Sequence, residues 1–299
     1  MKKILCFVLA ALLAAALFSC AKDVEKKSGI VCTAFAAYDL ARNIAPQGTA
    51  VTLLSDGADP HSYEPDARAL SSLYSCELAV CVGGESEEWC HDAAQAGDFD
   101  MIVLSETVNG IVEHDEGEEH GEHGKDVDEH FWMSPREMRA AALALADKMC
   151  EIIPEKRDEI KKNTENYAQR LESLDGQYRA ALDGKDGKFA VVADRFPFAY
   201  LARDYDIEYI AAFDGCSAES EASFETVKAL ADALRVRGLS YVVITETGDK
   251  GLADTVISSA GVQAQVLTLD SMQQVSDPQN ADYIKAMEEN LTVLKKLFG

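Results

Sequence analysis

The sequence predicts an α/β protein made of two lobes, each built on a parallel β-sheet. Short apolar, β-rich runs alternate with segments whose apolar residues have helical spacing, and this alternation is typical of parallel sheets covered by helices on both faces. It occurs in both halves of the 299-residue chain. A long amphipathic segment separates the halves and predicts a rigid helix that joins the two lobes.

The N-terminal half contains four predicted strands that alternate with three predicted helices. The strands are 30–35, 50–54, 78–82 and 101–104, and the helices are 38–45, 66–74 and 85–94. Ligands of such sheets bind beyond the carboxyl ends of the strands. The segments that follow these strands are therefore the first places to look for a site.

Two helices are predicted after the first lobe. Ser134 as N-cap, Pro135 at the first helical position and Glu137 in a capping box predict a helix from Pro135 to Ile153, which Pro154 ends. The next helix, 155–183, has an apolar stripe at steps of seven, four, three, four and four residues. The stripe consists of Ile160, Tyr167, Leu171, Leu174, Tyr178 and Leu182. At 1.5 Å per residue this helix spans roughly 40 Å, which is more than a single lobe needs.

The C-terminal half repeats the alternation. Its predicted strands are 189–193, 208–213, 241–245 and 265–269. Three helices are marked by apolar residues, the first from Phe224 to Leu234, the second from Leu252 to Ile257 and the last from Tyr283 to Leu297. The predicted domains are thus an N-terminal lobe over 30–154, a linker helix over 155–183 and a C-terminal lobe over 186–299.

The first residues are typical of an export signal. Two lysines precede an apolar run that ends at Phe18, and the run is too short to span a membrane comfortably. Leu17-Phe18-Ser19-Cys20 resembles a bacterial lipobox, which predicts a signal peptide over 1–19, lipidation at Cys20 and a tether over 20–29. The alternative is an ordinary signal peptide with an incidental cysteine. We expect an extracytoplasmic protein anchored to the cell membrane as a lipoprotein.

A histidine-rich acidic loop is predicted over 113–130. It holds four of the six histidines of the chain and nine acidic residues against one lysine. Imidazole and carboxylate ligands together suit a borderline divalent ion such as Zn²⁺. The alternative is a solvated, disordered acidic loop. The net charge of −24 disfavours nucleic acid as a partner and suits cations.

Two histidines are placed where a site is expected. His61 lies in a proline-flanked turn that follows a predicted strand, and His130 lies between the histidine-rich loop and a predicted helix. A lone loop histidine is often only a solvated side chain. Because both histidines come after strands of the same sheet, we expect them at the same edge of that sheet.

Six cysteines follow Cys20, and their spacing matches no zinc-finger pattern. Most are expected to be small buried residues. Cys76, Cys81 and Cys90 are close enough in sequence for one disulfide, but the sequence does not give the pairing.

Five motifs resemble one family, the lipoprotein-type substrate-binding proteins of bacterial zinc and manganese ABC importers. They are ADPHSYEP around His61, LAVCVGGESEEW at 78–89, DEHFWMSP after the histidine-rich loop, FPFAYLARDY at 196–205 and LDSM at 269–272. A closing Tyr-x-x-x-Met-x-x-Asn-Leu at 283–291 adds to the resemblance, which covers essentially the whole mature chain. It implies a metal-binding cleft between two α/β lobes joined by a long rigid helix.

The resemblance also implies a set of metal ligands. His61 and His130 correspond to the first two ligands, and Asp270 corresponds to the aspartate that closes the site. At the third position the family has histidine or glutamate, whereas this chain has Asp194-Arg195. The register favours Arg195, which is always protonated and cannot ligate a metal, and a shift of one residue brings in Asp194. We expect Asp194; water, a loop histidine, Glu219 or Cys216 are the alternatives.

The expected function is that of the metal-binding component of an ABC importer, which captures Zn²⁺ and delivers it to a membrane permease. His114, His120 and His123 are expected to capture metal as auxiliary ligands in the loop, and the protein is expected to be a monomer. A manganese-selective protein of the same family is one alternative. A zinc-dependent hydrolase is another, although the chain has no HExxH motif and no recognisable catalytic triad.

Overall fold

In the computed structural model, the two predicted lobes each contain a four-stranded parallel sheet. The structure describes residues 29–56, 58–97, 99–110, 113–114, 126–213, 215 and 221–299. The predicted signal peptide, the lipobox with Cys20 and most of the tether lie outside the described residues. The fold class predicted from the sequence is confirmed.

The N-terminal sheet has the strand order β2-β1-β3-β4. Its strands are β1 (Ile30–Cys32), β2 (Val51–Leu53), β3 (Leu78–Cys81) and β4 (Asp100–Val103), and its helices are α1 (Phe35–Ile44), α2 (Ala67–Ser75) and α3 (Glu88–Ala96). Short 3₁₀ turns at Pro60–Ser62, Glu85–Glu87 and Leu104–Thr107 follow three of the strands. Each turn has only three or four residues, about one period of a helical pattern, so the sequence did not indicate the first and the third, and the second was included in the predicted helix 85–94.

Two further short strands flank the histidine-rich segment. β5 (Glu113–His114) and β6 (Asp126–Val127) pair antiparallel, with Glu113 opposite Val127 and His114 opposite Asp126. The backbones on either side of residues 115–125 are therefore neighbours.

The C-terminal sheet has the order β10-β9-β7-β8. Its strands are β7 (Phe189–Arg195), β8 (Glu208–Phe213), β9 (Tyr241–Thr245) and β10 (Gln265–Leu269), and its helices are α6 (Ala199–Asp204), α7 (Phe224–Val236), α8 (Lys250–Ala260) and α9 (Tyr283–Leu297). If the strands of each sheet are numbered from its own first strand, both sheets have the order 2-1-3-4. The lobes therefore share one topology.

Two helices join the lobes. α4 (Pro135–Ile152) begins as predicted, with the Ser134 hydroxyl accepting a hydrogen bond from the Glu137 backbone N–H at 3.1 Å. The Glu137 carboxylate does not close a capping box. Instead it accepts from the backbone N–H of Asn109 at 2.8 Å and pairs with Arg203 of the C-terminal lobe at 2.7 Å.

The predicted linker helix corresponds to α5 (Arg157–Leu182), which follows a 3₁₀ turn at Pro154–Lys156. Every residue of its predicted apolar stripe is at most 2% exposed. The same apolar cluster contains residues from β1 at one end of the chain and from α9 at the other. Burial of this stripe is what binds α5 to both lobes.

The segment 128–135 lies between the lobes and is hydrogen-bonded to the C-terminal one. The Trp132 indole donates to the carbonyl of Ser271 at 2.8 Å, and the Tyr283 hydroxyl donates to the carbonyl of Trp132 at 2.5 Å. Tyr200 donates to the carbonyl of Asp128 at 3.0 Å. His130 is therefore fixed by contacts from both lobes. Among the described residues, no helix is long and apolar enough to cross a membrane.

Candidate metal centre

His61 lies in the 3₁₀ turn that follows β2, and Asp59 fixes its imidazole. One oxygen of Asp59 accepts from the His61 backbone N–H at 3.0 Å and lies 2.8 Å from His61 Nδ1. The hydrogen bond from His61 is the main reason that the pKa of Asp59 is lowered. Because Asp59 holds the Nδ1 proton, the Nε2 side of the ring is left to face a ligand.

His130 is held in the same way by Asp128. One oxygen of Asp128 accepts from the His130 backbone N–H at 2.7 Å and lies 2.9 Å from His130 Nδ1. The His130 side chain is completely buried, whereas that of His61 is 17% exposed. The pattern Asp-x-His thus occurs twice, and in both places the aspartate orients the ring.

Glu129 supplies a carboxylate between the two imidazoles. Its Oε1 lies 3.0 Å from His61 Nε2 and accepts from the Ser86 hydroxyl at 2.8 Å. The residue is only 4% exposed. Gly84, with φ +86°, packs directly against this carboxylate, and a Cβ built at Gly84 would lie 1.6 Å from Glu129 Oε2. Only a glycine leaves the carboxylate in this position.

His61, Glu129 and His130 form a compact group of ligand atoms, all within 4.8 Å of one another. The two imidazole rings are stacked, with centroids 5.4 Å apart. Ligand atoms about 2.0–2.2 Å from a tetrahedral Zn²⁺ are about 3.3 Å from each other. The 3.0 Å separation of His61 Nε2 and Glu129 Oε1 is close to that value, so an ion can be coordinated with little rearrangement.

Gln273 reaches this group from the C-terminal lobe. Its side-chain amide contacts His130 Nε2, and its Oε1 accepts from the Ser271 hydroxyl at 3.2 Å. Since His130 Nδ1 donates to Asp128, Nε2 is the acceptor and the Gln273 amide N–H is the donor. Gln273 therefore satisfies the nitrogen that a metal ion would take.

Asp194 and Asp270, the two carboxylates expected from the C-terminal lobe, are not members of this group. Asp194 Oδ2 accepts from the backbone N–H of Thr245 at 2.9 Å and from its hydroxyl at 2.6 Å, and Oδ1 accepts from the N–H of Arg195 at 2.8 Å. Asp270 accepts from the N–H of Met272 at 2.8 Å. Burial raises the pKa of Asp270. Both aspartates are thus engaged with their own lobe.

Arg195 faces the N-terminal lobe. Its positive charge contributes to the lowered pKa of Asp59, the aspartate that orients His61. The arginine also lines a cavity of about 560 Å³ together with Asp194, Thr247 and Gly248. Arg195 therefore adds positive charge near the histidine site, whereas a metal-ligating side chain at this position would not.

Several expected residues lie outside the described part of the chain. They are Cys20, the loop histidines His120 and His123, and the alternative ligands Cys216 and Glu219. His114 is described only through its backbone in β5. Sequence reasoning missed Glu129 and Gln273. The repeated Asp-x-His pattern, with Glu129 inside its second copy, was the available signal for the first, and the sequence held no signal for the second.

The comparisons agree with one another. The model of the family described as zinc-uptake complex component A, periplasmic, matches residues 30–297. The chain is 30% identical to the zinc-binding lipoprotein AdcA of Streptococcus pneumoniae, over 99% of this chain and 61% of that protein, so it spans about three fifths of this relative's length. It is 24% identical to the high-affinity zinc uptake system protein ZnuA of Bacillus subtilis, over 90% of this chain and 87% of that one.

A solved structure of one relative has the same fold. The Zn(II)-bound ZnuA-like domain of Streptococcus pneumoniae AdcA superposes with a TM-score of 0.75 at 25% identity. The match covers 91% of this chain and 99% of that domain.

Proposed function

Because the chain belongs to the family of periplasmic components of zinc-uptake complexes, we propose that it captures Zn²⁺ outside the cytoplasm and delivers it to an ABC permease. The observation that carries this proposal is the convergence of His61, Glu129 and His130 within 4.8 Å. The names of its relatives support the same ion.

The chemistry of capture follows from the hydrogen bonds. His61 Nε2 faces Glu129, and His130 Nε2 faces the Gln273 amide. An incoming ion takes the lone pair of each Nε2 and one oxygen of Glu129, and the proton shared by His61 Nε2 and Glu129 Oε1 leaves to solvent. Asp59 and Asp128 keep the Nδ1 protons and hold both rings in place. The Gln273 side chain either turns its amide oxygen to the ion or moves away from His130.

Two imidazoles and one buried carboxylate favour Zn²⁺ over Mn²⁺, since imidazole suits zinc and a mainly oxygen environment suits manganese. Manganese is the alternative cargo within the same function. Competition between the two ions for the purified protein distinguishes them. Tighter binding of Mn²⁺ than of Zn²⁺ would contradict the zinc assignment.

The ligands are tested by substitution. His61→Ala, His130→Ala and Glu129→Gln are each expected to weaken zinc binding at least tenfold, measured by competition with a chelator, because each removes one ligand from the group. Glu88→Gln is the matched control, since Glu88 is exposed nearby. Parental affinity in all three variants would place the site elsewhere. Hydrolysis of ester or phosphate substrates by the zinc-loaded protein would contradict a binding role.

Asp194 and Asp270 are candidate ligands of the C-terminal lobe. To coordinate, Asp194 must give up hydrogen bonds to Thr245, and Asp270 must give up its bond to Met272. We therefore expect Asp194→Asn and Asp270→Asn to weaken zinc binding less than Glu129→Gln does, in the same chelator competition. A loss as large as that of Glu129→Gln would make the aspartate concerned a ligand.

The remaining parts of the proposal concern location and partners. We propose that a lipid on Cys20 anchors the protein to the outer side of the cell membrane, that it acts as a monomer, and that the loop histidines His114, His120 and His123 collect zinc. Mass spectrometry of the protein from membranes, with Cys20→Ser as comparison, tests the anchor.

A further inference from the structure

A second group of ligand atoms lies inside the N-terminal lobe. Cys81 ends β3, Glu87 ends the following 3₁₀ turn and Cys90 is in the first turn of α3. Their ligand atoms all lie within 4.8 Å of one another, and the three residues are 1%, 3% and 2% exposed. We propose that Cys81, Glu87 and Cys90 form a second metal site, which takes a thiophilic divalent cation such as Zn²⁺ or Cd²⁺.

The spacing is compatible with a metal ion, and both cysteines are free thiols. Two thiolates at about 2.3 Å from a tetrahedral ion are about 3.8 Å apart, which the 4.8 Å limit on this group allows. A disulfide needs the two sulfur atoms at about 2.05 Å. A disulfide would also leave no role for Glu87, whose carboxylate lies close to both sulfur atoms.

Glu87 gives an independent reason for a cation. Its carboxylate is buried and accepts from the backbone N–H of Gly83 at 3.0 Å and from the Thr33 side chain. None of the ion pairs formed by the described residues includes Glu87. Burial raises the pKa of Glu87 to about 7, so the carboxylate holds a proton part of the time near neutral pH. A metal ion would supply the missing positive charge and release that proton.

Binding exchanges protons for the ion. The hydrogen bond with Cys90, followed by burial, raises the pKa of the Cys81 thiol, so the Cys81 proton must leave when the ion binds. One divalent cation replaces two thiol protons, two metal–sulfur bonds form, and both protons leave to solvent. With Glu87 ionised, the net charge of the group is −1 before and after.

The second site shares no ligand with the histidine site. Glu87 and Glu129 repel each other, and the 3₁₀ turn that ends at Glu87 follows Gly84, the residue packed on Glu129. Because the two sites share no ligand, an ion can bind at the second site whether or not the histidine site holds one. The second site therefore does not depend on the proposed zinc capture.

Cadmium titration tests the site, because thiolate-bound Cd²⁺ has a charge-transfer absorption in the ultraviolet that imidazole- or carboxylate-bound Cd²⁺ lacks. The reduced full-length protein is expected to develop this band with one equivalent of Cd²⁺. His61→Ala and His130→Ala are expected to keep it, and so is Cys150→Ser, which removes another buried thiol. Cys81→Ser and Cys90→Ser are expected to lose it.

Glu87→Gln is a further variant, nearly isosteric, that keeps both thiols. It is expected to weaken cadmium binding at least tenfold without loss of the folded state. The proposal is overturned if the parent shows no band, if the band survives in both cysteine variants, or if Glu87→Gln binds as tightly as the parent. Alkylation and peptide mapping that reveal a disulfide between Cys81 and Cys90 in the protein as exported would overturn it as well.

Discussion

Asp59 and Asp128 orient the two histidines of the site in the same way. Each precedes a histidine by two residues and bonds both the backbone N–H and the ring Nδ1 of that histidine. The rings are therefore oriented by local sequence, whereas their approach to each other and to Gln273 depends on the fold. The two histidines were predicted from their positions after strands and from the family motifs. Glu129 was missed although it lies inside the second Asp-x-His pattern, and Gln273 comes from the other lobe, where no local signal marks it.

At the residue scale, Gly84→Ala is expected to weaken zinc binding at least tenfold, because the new Cβ would displace the Glu129 carboxylate. A side chain is also strained at the φ +86° and ψ 178° of Gly84, which costs about 1–3 kcal/mol of stability. Gly48→Ala is the matched control, since Gly48 has φ +88° but nothing within 4 Å of its added Cβ. Chelator competition and urea unfolding of both variants separate the two effects. Equal zinc affinity in Gly84→Ala and Gly48→Ala would mean that Glu129 is not a ligand.

At the element scale, the antiparallel pair β5 and β6 closes the base of the histidine-rich segment. Because Glu113 and His114 lie opposite Val127 and Asp126, residues 115–125 can be replaced by a short glycine-serine turn without separating the strands. We expect this replacement to remove weak, multiple zinc binding and to keep one tight site, as measured by calorimetry. A site that must be ordered on binding has a lower affinity than one whose ligands are already close together, as those of the histidine group are.

Complete loss of tight zinc binding in the variant with the glycine-serine turn would make residues 115–125 the principal site. A variant in which the histidines of the segment are replaced by glutamine, with its length unchanged, controls for the shortening. It is expected to behave as the replacement does.

The sequence predicted elements well where a periodic pattern had a single physical cause. The apolar stripe of α5 is buried along its whole length, because a helix that packs between two lobes can bury such a stripe in only one orientation. Asp194 was harder to place. Its partner Thr245 is on another strand, 51 residues away, and the choice between a ligand and a hydrogen-bonded role depends on that contact.

At the scale of the whole molecule, several buried carboxylates have raised pKa values. Burial is the largest cause for Asp39, Glu87, Glu246 and Asp270, and it raises the pKa of Glu87 to about 7. In the folded state these groups hold their protons at a higher pH than in the unfolded state. The metal-free protein therefore gains stability as the pH falls from above 7 towards the ordinary carboxylate range.

For Glu87 alone, this gain is roughly 2–3 kcal/mol in the free energy of unfolding between about pH 8 and about pH 5. Glu87→Gln is expected to reduce the pH dependence by that amount, and Glu88→Gln is expected to leave it unchanged. Urea unfolding of the chelator-treated protein across this range measures both. The same slope in Glu87→Gln and in the parent would contradict the assignment.

The unequal burial of the two histidines affects how long a captured ion stays. His61 is partly open to solvent, while His130 is enclosed beneath the Gln273 amide. An ion reaches His130 Nε2 only when the Gln273 side chain, which comes from the opposite lobe, moves. Gln273 can therefore change the rates of loading and release. A partner that withdraws Gln273 would speed unloading without altering a single nitrogen or carboxylate ligand.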